Sequence, residues 1–365
     1  MTFERPNIQK MRGYSYGEQP GDDKVIKLNT NENPYPASPE VAQALQNFDV
    51  NILKRYPEAL ANEFRSVAAN LHQLTPDHII ATKGGDELLR LLFTTFTDPG
   101  DVVAMTDPTY SLYPVLAEIQ DVQTRQIPLT ESYSLVDDFA EQANTAGAKM
   151  TFVVNPHAPS GHLITANEIE SLAERLNSLL LVDEAYVDFI NPEHQYNCLK
   201  LAEKRDNVIF LRSMSKGYGL AGLRFGYGIG HPSIIEPMLT KTRDSYNLDA
   251  ISQKLATAAL KDQDYAKGCW QKVRDTRAKL TAELTLRGFT VPSSEANFVL
   301  AKEPSEGIAK ILYELLRDQG ILVRYFPVPG LSDKLRISVG TEEENASLLA
   351  NLDKILEQNL ENGQV

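Results

Sequence analysis

The stretch VIFLRSMSKG, residues 208–217, joins an apolar run typical of a buried strand to a polar turn that carries a lysine. Lysine becomes a nucleophile when burial or nearby cations let its amine lose a proton near neutral pH, and Arg224 is such a cation. Ser213, Ser215 and Arg224 also offer the hydroxyls and the guanidinium that bind a phosphate. The stretch therefore predicts a strand that ends in a Schiff-base lysine, Lys216, beside a phosphate site.

A second polar group follows an apolar run upstream. Residues 179–182 read LLLV and lead into Asp183, with Tyr186 three positions later. A carboxylate keeps a pyridine nitrogen protonated, so that the ring draws electrons from a substrate. Tyr186 would then reach the phenolic oxygen of the ring. A Ser-Lys pair alone is more typical of a solvated turn, and a lone Asp of a helix cap, but the two motifs together predict that the cofactor is pyridoxal phosphate.

Length and charge limit the class of protein. The chain has 365 residues, which favours two domains, or a large and a small lobe, over a single core. Its formal net charge of -13 disfavours nucleic acid and anionic membrane as partners. With only Cys198 and Cys269 as cysteines, and an N-terminal MTFERP that lacks an apolar core, we expect a reducing cytoplasm. No apolar run approaches the roughly 20 residues that span a bilayer.

Short apolar runs alternate with helical patterns along much of the chain. This alternation predicts a mostly parallel sheet that helices cover on both faces. Each run ends in polar or turn-forming residues, and ligands bind beyond the carboxyl ends of the strands in such sheets. We therefore expect these ends to converge on one site. The runs are residues 78–81, 102–105, 150–154, 179–182 and 208–211.

Gly84, Gly85 and Asp86 open an amphipathic stretch over residues 87–96. Two glycines before a helix allow the first backbone amides to approach an anion, which the helix dipole also favours. An ordinary glycine turn with Asp86 as the N-cap is the better interpretation of this motif on its own. Tyr110, in the run PTYSLYP, could stack on a cofactor ring, although a tyrosine in a turn more often packs against the protein.

After residue 270 the pattern changes to that of a smaller α+β lobe. A long helical segment precedes a strand at 298–300, a helix at 307–317 and strands at 321–324 and 335–340. Arg336 alternates with apolar neighbours, so it faces away from the core side of its strand, and Arg324 ends the preceding run. A lone arginine usually forms a surface ion pair. Two strand arginines in a lobe that closes over an anionic cofactor favour an anion clamp for the substrate.

Taken in order, these motifs resemble the fold-type I aminotransferases, and in detail the histidinol-phosphate aminotransferase family. The resemblance covers nearly the whole chain. The blocks around Lys216 and Asp183 are specific for the superfamily, whereas the Asn-Glu-Asn-Pro run, the RYP run and the arginine pair narrow it to this branch. The segments that carry it are LNTNENPYP at 28–36, RYP at 55–57, GGDE at 84–87, DPTY at 107–110, DEAY at 183–186, the block at 213–226 and LRISVGT at 335–341.

The resemblance implies an α/β fold of the fold-type I pyridoxal phosphate transferases. A large cofactor-binding domain at residues 46–275 would hold a mostly parallel seven-stranded sheet between helices, and residues 276–365 would form a small α+β domain that an N-terminal arm, residues 1–45, joins. The implied activity is transfer of an amino group between L-histidinol phosphate and 2-oxoglutarate. In the biosynthetic direction, within histidine biosynthesis, imidazole acetol phosphate and L-glutamate react.

The resemblance also gives roles to residues. Lys216 would form the Schiff base and move the proton between substrate and cofactor. Arg336 would bind the phosphate of histidinol phosphate in one half-reaction and a carboxylate of glutamate or 2-oxoglutarate in the other, helped by Arg324 and Tyr14. The active unit would be a homodimer, because Tyr56 would reach the cofactor phosphate across the interface. The remaining roles are a contact with the pyridinium nitrogen for Asp183, a contact with the phenolic oxygen for Tyr186, ring stacking for Tyr110, and phosphate binding for the amides of Gly85 and Asp86 with Ser213, Ser215 and Arg224.

The chain departs from the family pattern at three places. Where the family usually has Asn-Asn-Pro-Thr-Gly, this chain has HAPSG at 157–161, so Ala158 replaces the asparagine that contacts the cofactor's phenolic oxygen. That loss leaves the oxygen to Tyr186, a change of roughly 1–3 kcal/mol in the contact. Ser213 stands where threonine is common and keeps a hydroxyl. Of two arm tyrosines that could meet the substrate, Tyr14 and Tyr16, the family alignment favours Tyr14.

Other functions on this fold differ in what they require of the sequence. An aromatic amino-acid aminotransferase, or a decarboxylase of a phosphorylated amino acid, would keep the cofactor, and the arginines do not separate them because a guanidinium accepts a phosphate or a carboxylate. A non-catalytic regulator on this fold would need a DNA-binding segment, which we do not expect ahead of residue 31. The glycines of 217–230 have the wrong spacing for a dehydrogenase. The histidines lack ligand spacing, so no metal is expected.

Overall fold

The computed structural model describes residues 3–21 and 24–361. Its strands are β1 Ile26–Lys27, β2 Ile79–Thr82, β3 Val102–Asp107, β4 Gln123–Pro128, β5 Ala148–Val154, β6 Leu179–Asp183, β7 Val208–Ser213, β8 Gly226–Gly230, β9 Phe298–Lys302, β10 Ile321–Leu322, β11 Arg324–Tyr325 and β12 Lys334–Ser338. Its helices are α1 Pro6–Lys10, α2 Pro39–Gln46, α3 Asn62–His72, α4 Gly85–Phe96, α5 Leu112–Gln120, α6 Phe139–Thr145, α7 Ala166–Arg175, α8 Leu201–Lys204, α9 Pro232–Pro237, α10 Ala250–Lys261, α11 Gln263–Leu286, α12 Ala309–Asp318 and α13 Glu342–Glu361. In the part of the chain that the structure describes, no helix is both long and apolar enough to cross a membrane.

The central sheet has seven strands in the order β2-β8-β7-β6-β5-β3-β4. Strands β3 to β7 pair in parallel, while β8 runs antiparallel to both of its neighbours, β2 and β7. The α/β fold with a mostly parallel seven-stranded sheet is therefore confirmed. All five apolar runs singled out in the sequence form strands of this sheet, whereas β4 and β8 were not predicted.

The central strands are apolar throughout because both faces of the sheet are covered. Strand β7 shows the pattern: Val208 and Phe210 enter one hydrophobic core, and Ile209 and Leu211 enter the core on the other face. All four side chains are at most 2% exposed. A strand buried on both sides reads as a continuous apolar run, which is why these strands were recognisable in the sequence.

The second body is built around an antiparallel sheet of three strands, in the order β11-β12-β9. One face of this sheet packs on α11, α12 and α13, where Leu335 and Ile337 of β12 meet leucines of all three helices. The N-terminal arm adds β1, which pairs in parallel with β10. Helix α11 runs without a break past position 275, and the domain boundaries remain a prediction.

The run at 321–324, predicted as one strand, divides between two sheets. Ile321 and Leu322 form β10 and pair with the arm strand β1, whereas Arg324 begins β11 and pairs with β12. Val323, which is buried, links the two strands. The division occurs because the arm supplies a pairing partner that only the folded chain brings near, and it directs Arg324 toward β12 and Arg336.

Candidate functional site

A cavity of about 1580 Å³ lies where β3, β5, β6 and β7 end, between the central sheet and β11 and β12. The convergence expected from the strand ends is thus present. Every candidate site residue lines this cavity except Tyr16 and Tyr56, and Tyr56 is 80% exposed and borders a separate surface pocket. The lining residues among the candidates are Tyr14, Gly85, Asp86, Tyr110, Asp183, Tyr186, Ser213, Ser215, Lys216, Arg224, Arg324 and Arg336.

Lys216 reaches into the cavity from the turn after β7. Its Nζ donates a hydrogen bond to the carbonyl oxygen of Thr30 at 2.6 Å. Burial, followed by repulsion from Arg336, lowers the pKa of the Lys216 amine to about 7, while Glu32 opposes the shift. A large fraction of the amine is therefore neutral near neutral pH, and a neutral amine is the form that attacks a carbonyl carbon.

The turn that carries Lys216 is held from behind. Asn33 Nδ2 donates to the carbonyl oxygens of Lys216 at 3.0 Å and of Gly217 at 3.1 Å. Trp270 Nε1 donates to the same Gly217 oxygen at 2.7 Å. A Cβ at Gly217 would lie 2.0 Å from a carboxylate oxygen of Asp188, so only glycine fits there. These contacts fix the direction of the lysine, and no sequence pattern had assigned a role to Asn33 or Trp270.

Asp183 ends β6 at the floor of the cavity and is 5% exposed. One carboxylate oxygen accepts the Tyr113 hydroxyl at 2.7 Å and the other accepts the backbone N–H of Ala185 at 3.1 Å. Burial nevertheless raises the pKa of Asp183 to about 6. Among the described residues no basic side chain forms an ion pair with it. The site thus holds a buried carboxylate that a positively charged ligand group would stabilise.

An anion cradle lies at the start of α4. The helix begins at Gly85 and its N-cap is Gly84, with φ of 77°. Glycine has no side chain that could bind the first-turn amides, so these remain available to an anion. The alternative with Asp86 as the N-cap is therefore wrong. Arg224 lies against this turn: a Cβ at Gly84 would be 3.0 Å from its guanidinium, which also contacts Asp86 at 3.2 Å.

The two serines complete the cradle at the end of β7. Both line the cavity, and the backbone N–H of Ser215 donates to Ser213 Oγ at 3.1 Å. The glycine turn packs closely against β8, which lies beside the serines of β7. A Cβ at Gly226, the first residue of β8, would lie only 2.9 Å from the backbone of Gly84. Hydroxyls, helix amides and a guanidinium are the groups that bind a phosphate dianion.

Tyr186 and its neighbours form the opposite wall. The Tyr186 hydroxyl accepts a hydrogen bond from Asn31 Nδ2 at 3.0 Å, and its ring packs edge-on against Phe298. Burial raises the pKa of Tyr186, so the hydroxyl keeps its proton. Ala158 lines the same cavity, and its side chain is a methyl group where the family pattern has the amide of an asparagine. The contact from Asn31 was missed, because sequence spacing alone does not place residue 31 beside residue 186.

A second anion subsite is built on β11 and β12. Arg336 Nη2 donates to the carbonyl oxygen of Asn29 at 2.9 Å, while its buried Nε has no hydrogen-bond partner among the described residues. The guanidinium groups of Arg324 and Arg336 each lie 5.4 Å from the ring centre of Phe326. Burial lowers the pKa of Arg336, and repulsion from Arg324 adds to the shift. This arrangement suits an incoming oxyanion.

Two tyrosines cover the cavity from the side of the arm. The rings of Tyr14 and Tyr110 meet edge to face, with centres 6.1 Å apart. Tyr110 is largely buried, and burial raises its pKa. Tyr16, the other candidate from the arm, is 75% exposed. Of the two arm tyrosines, Tyr14 is the one that lines the cavity.

These groups fit pyridoxal phosphate. The cradle matches its phosphate, Asp183 matches its pyridinium nitrogen, and Lys216 matches its aldehyde. Thr109 Oγ1 is a further buried cavity atom that has no hydrogen-bond partner among the described residues. Fold and site together define a pyridoxal phosphate enzyme of fold type I.

The comparison with known families narrows this class. The family described as aminotransferase class I and II matches residues 23–352, and the chain belongs to this family as a pyridoxal-phosphate-dependent transaminase. Histidinol-phosphate aminotransferase 1 of Trichormus variabilis is 44% identical over 97% of this chain and 99% of that protein. The histidinol-phosphate aminotransferase of Syntrophotalea carbinolica is 43% identical over 97% of this chain and 100% of that protein.

The fold agrees with that of a solved structure. The crystal structure of histidinol-phosphate aminotransferase from Sinorhizobium meliloti, in complex with pyridoxal-5'-phosphate, superposes with a TM-score of 0.91. The match covers 98% of each chain, at 24% sequence identity. At that identity the likeness establishes a shared fold alone. The roles of the residues in the cavity are inferred from this chain's own contacts.

Proposed function

We propose that this enzyme is the transaminase that converts imidazole acetol phosphate and L-glutamate into L-histidinol phosphate and 2-oxoglutarate in histidine biosynthesis. One observation carries the proposal: the cavity contains two separate anion subsites, the cradle at the start of α4 and the pair Arg324 and Arg336. The first suits the phosphate of the cofactor. The second is then free for a phosphate or carboxylate of the substrate, as a phosphorylated amine and a dicarboxylic amino acid both require.

The cofactor, when bound, supplies an electron sink and carries the amino group between the two substrates. Asp183 would keep the pyridinium nitrogen protonated, and that positive charge would offset the cost of burying the carboxylate. Tyr110 would stack on the ring, and Tyr186 would donate to the phenolic oxygen. The cofactor phosphate would be held through amides, hydroxyls and a guanidinium, which belong to Gly85, Asp86, Ser213, Ser215 and Arg224.

Lys216 has two tasks. Its neutral amine would hold the aldehyde of the cofactor, and when it is free of the cofactor the same amine would accept and return the proton of the substrate carbon. The lowered pKa of about 7 suits both tasks, because the amine must accept and release protons at the working pH. Asn33 and Trp270 keep the turn of Lys216 in place during this exchange.

Arg336 binds the anionic end of each substrate in turn. Its Nε, which has no hydrogen-bond partner in the described part of the chain, and the neighbouring Arg324 offer several donors to one oxyanion. Tyr14 lines the cavity beside them and would contact the bound substrate. Because one guanidinium fork accepts a phosphate or a carboxylate, a single subsite serves both half-reactions.

We propose further that the active unit is a homodimer in the cytoplasm. An exposed apolar patch surrounds Tyr56, whose ring stacks on Tyr246 with centres 4.5 Å apart. Exposed apolar side chains that cluster on one segment of the surface are typical of protein interfaces. A dimer that buries the patch would let Tyr56 of the partner subunit reach the cofactor phosphate. Both cysteines are free and buried, as is usual in a reducing compartment. The patch comprises Val50, Ile52, Leu53, Tyr56 and Tyr246.

The visible absorption spectrum of the purified, cofactor-loaded protein tests the substrate assignment. L-histidinol phosphate, L-glutamate and L-phenylalanine are added separately, and loss of the visible band reports amino transfer to the cofactor. We expect rapid loss with histidinol phosphate and glutamate and slow loss with phenylalanine. Efficient reaction with phenylalanine and none with histidinol phosphate would move the enzyme to the aromatic aminotransferases.

Sedimentation tests the dimer separately. Leu53→Asp places a charge in the apolar patch, and we expect it to shift the protein to monomers and to weaken cofactor binding. Leu286→Asp is the matched control, because Leu286 is also exposed but ends α11 away from the patch. A Leu53→Asp protein that remains dimeric would contradict the proposed interface.

A further inference from the structure

We propose that Asn31 is a positioning residue for Tyr186, which directs the tyrosine's hydroxyl proton at the cofactor's phenolic oxygen. This inference rests on the proposed role of Tyr186 and goes beyond it. It also gives a reason why the enzyme works with Ala158, since a tyrosine whose proton direction is set supplies the donor that the missing amide would have supplied.

The orientation of the Asn31 amide follows from its hydrogen bonds. The backbone N–H of Asn31 donates to Ser338 Oγ at 2.9 Å, and the Ser338 hydroxyl donates back to Asn31 Oδ1 at 3.1 Å. Oδ1 is therefore the acceptor of this side chain, and Nδ2 has to face the other way. There it donates to the Tyr186 hydroxyl at 3.0 Å.

The hydrogen bond from Asn31 determines what Tyr186 does with its own proton. A phenol has one proton to donate, and an oxygen that accepts from one side donates to another. Among the described residues, none accepts the proton of the Tyr186 hydroxyl. Tyr186 lines the cavity, and so does the methyl group of Ala158. The proton is thus free for the phenolic oxygen of a bound cofactor.

Asn31 is held rigidly enough to set this direction. It is 1% exposed, and its carbonyl oxygen accepts from Asn297 Nδ2 at 2.9 Å. Its φ of 57° lies in the left-handed region, which asparagine, aspartate and glycine adopt more readily than other residues. Ser338 belongs to β12, the strand of Arg336, so the same contacts tie the tyrosine to the substrate-anion subsite.

The pH at which the visible band of the cofactor-loaded protein changes form is the readout. A donor to the phenolic oxygen withdraws electron density and lowers the proton affinity of the Lys216 linkage, so loss of the donor raises this pH midpoint. Asn31→Gly removes the amide without straining the backbone, and we expect the midpoint to rise by about half a pH unit. Asn31→Asp puts an acceptor in place of the donor, so Tyr186 donates to the carboxylate instead; we expect a rise of about one pH unit or more.

Two further proteins separate positioning from a general structural role. In a Tyr186→Phe background, Asn31→Gly should leave the midpoint where Tyr186→Phe alone has put it, because the amide acts only through the hydroxyl. Asn345→Ala is the matched control: Asn345 is also a buried asparagine, and its side chain exchanges hydrogen bonds with the backbone of Gly340 instead of Tyr186. We expect its midpoint to equal that of the unchanged protein.

The outcomes are distinct. An unchanged midpoint in Asn31→Asp, or an equal shift of Asn31→Gly with and without the Tyr186 hydroxyl, would overturn the proposal. If Asn31→Gly does not fold, the near-isosteric Asn31→Asp decides the question, with circular dichroism as the check on folding. Failure of the proposed function would look different, because the unchanged protein itself would then show no visible band or no reaction with substrate.

Discussion

Arg324 of β11 and Arg336 of β12 lie directly opposite each other in an antiparallel pair. Like charges in this position repel, and each lowers the stability of the pairing while no anion lies between them. The repulsion is visible in Arg336, whose lowered pKa is due partly to Arg324. A substrate phosphate or carboxylate relieves this repulsion, so substrate binding and stabilisation of the small sheet are coupled.

The arginine pair can be tested by charge-preserving substitutions. Arg336→Lys keeps the charge but loses the planar fork, and we expect kcat/KM for both substrates to fall about 100-fold, or roughly 3 kcal/mol, mostly through KM. We expect a smaller loss of kcat/KM for Arg324→Lys. Arg317→Lys is the control, because Arg317 is exposed and pairs with Glu18. A selective loss for only one substrate would contradict a shared anion subsite.

The pH dependence of cofactor capture tests the state of Lys216. With a pKa of about 7, we expect the cofactor-free protein to form its visible band at a rate that rises roughly tenfold per pH unit below that pH and levels off above it. Glu32→Gln should move the midpoint lower, because Glu32 favours the charged amine. A rate that keeps rising toward pH 10 would mean that the lysine is not perturbed.

We expect the buried carboxylate of Asp183 to lower the stability of the cofactor-free protein while it supports activity. Its pKa is raised from 3.8 to about 6 in the folded protein, so the stability it contributes at low pH is lost as pH rises through about 6. We expect Asp183→Asn to stabilise the cofactor-free protein at pH 7 by roughly 1–3 kcal/mol and to leave it unchanged at pH 3. Activity should fall by several orders of magnitude. Melting temperatures at both pH values decide this, and destabilisation at pH 7 would refute it.

Restoring the family asparagine tests the effect of Ala158. In Ala158→Asn a second donor would reach the phenolic oxygen, and we expect the pH midpoint of the visible band to fall by about one unit. The matched control is Ala158→Leu, which adds similar bulk without a donor. An Ala158→Asn titration that coincides with that of the unchanged protein would show that the missing amide has no electronic consequence.

The sequence predicted strands where burial leaves a clear pattern and missed them elsewhere. The residues of β4 are mostly exposed at the edge of the sheet, so Gln123–Pro128 lacks the apolar run that marked the other strands. Strand β8 is Gly-Tyr-Gly-Ile-Gly, and glycine is a poor strand former that here serves close packing. A Cβ at Gly228 would lie 2.9 Å from the Ile80 side chain, so the glycine that hides the strand is also what lets it fit.

The site was predictable to the extent that its chemistry is carried by single residues. Lys216, Asp183 and the arginine pair could be recognised because each places a charged side chain next to an apolar run. Asn31 and Asn33 lay within a recognised motif, but their partners are more than 150 positions away in the chain, so their contacts depend on how the arm crosses the folded protein. Only the three-dimensional structure shows which of these polar groups form hydrogen bonds with each other.

Trp270 is the single tryptophan of the chain, and its indole N–H holds the carbonyl group beside Lys216. Any chromophore attached to that lysine and absorbing in the near ultraviolet or visible range therefore lies close to the only indole emitter in the protein. Resonance energy transfer should dim the tryptophan fluorescence when the site is loaded and restore it when the site is emptied. The fluorescence of Trp270 should therefore report whether this one site is occupied, without an added label.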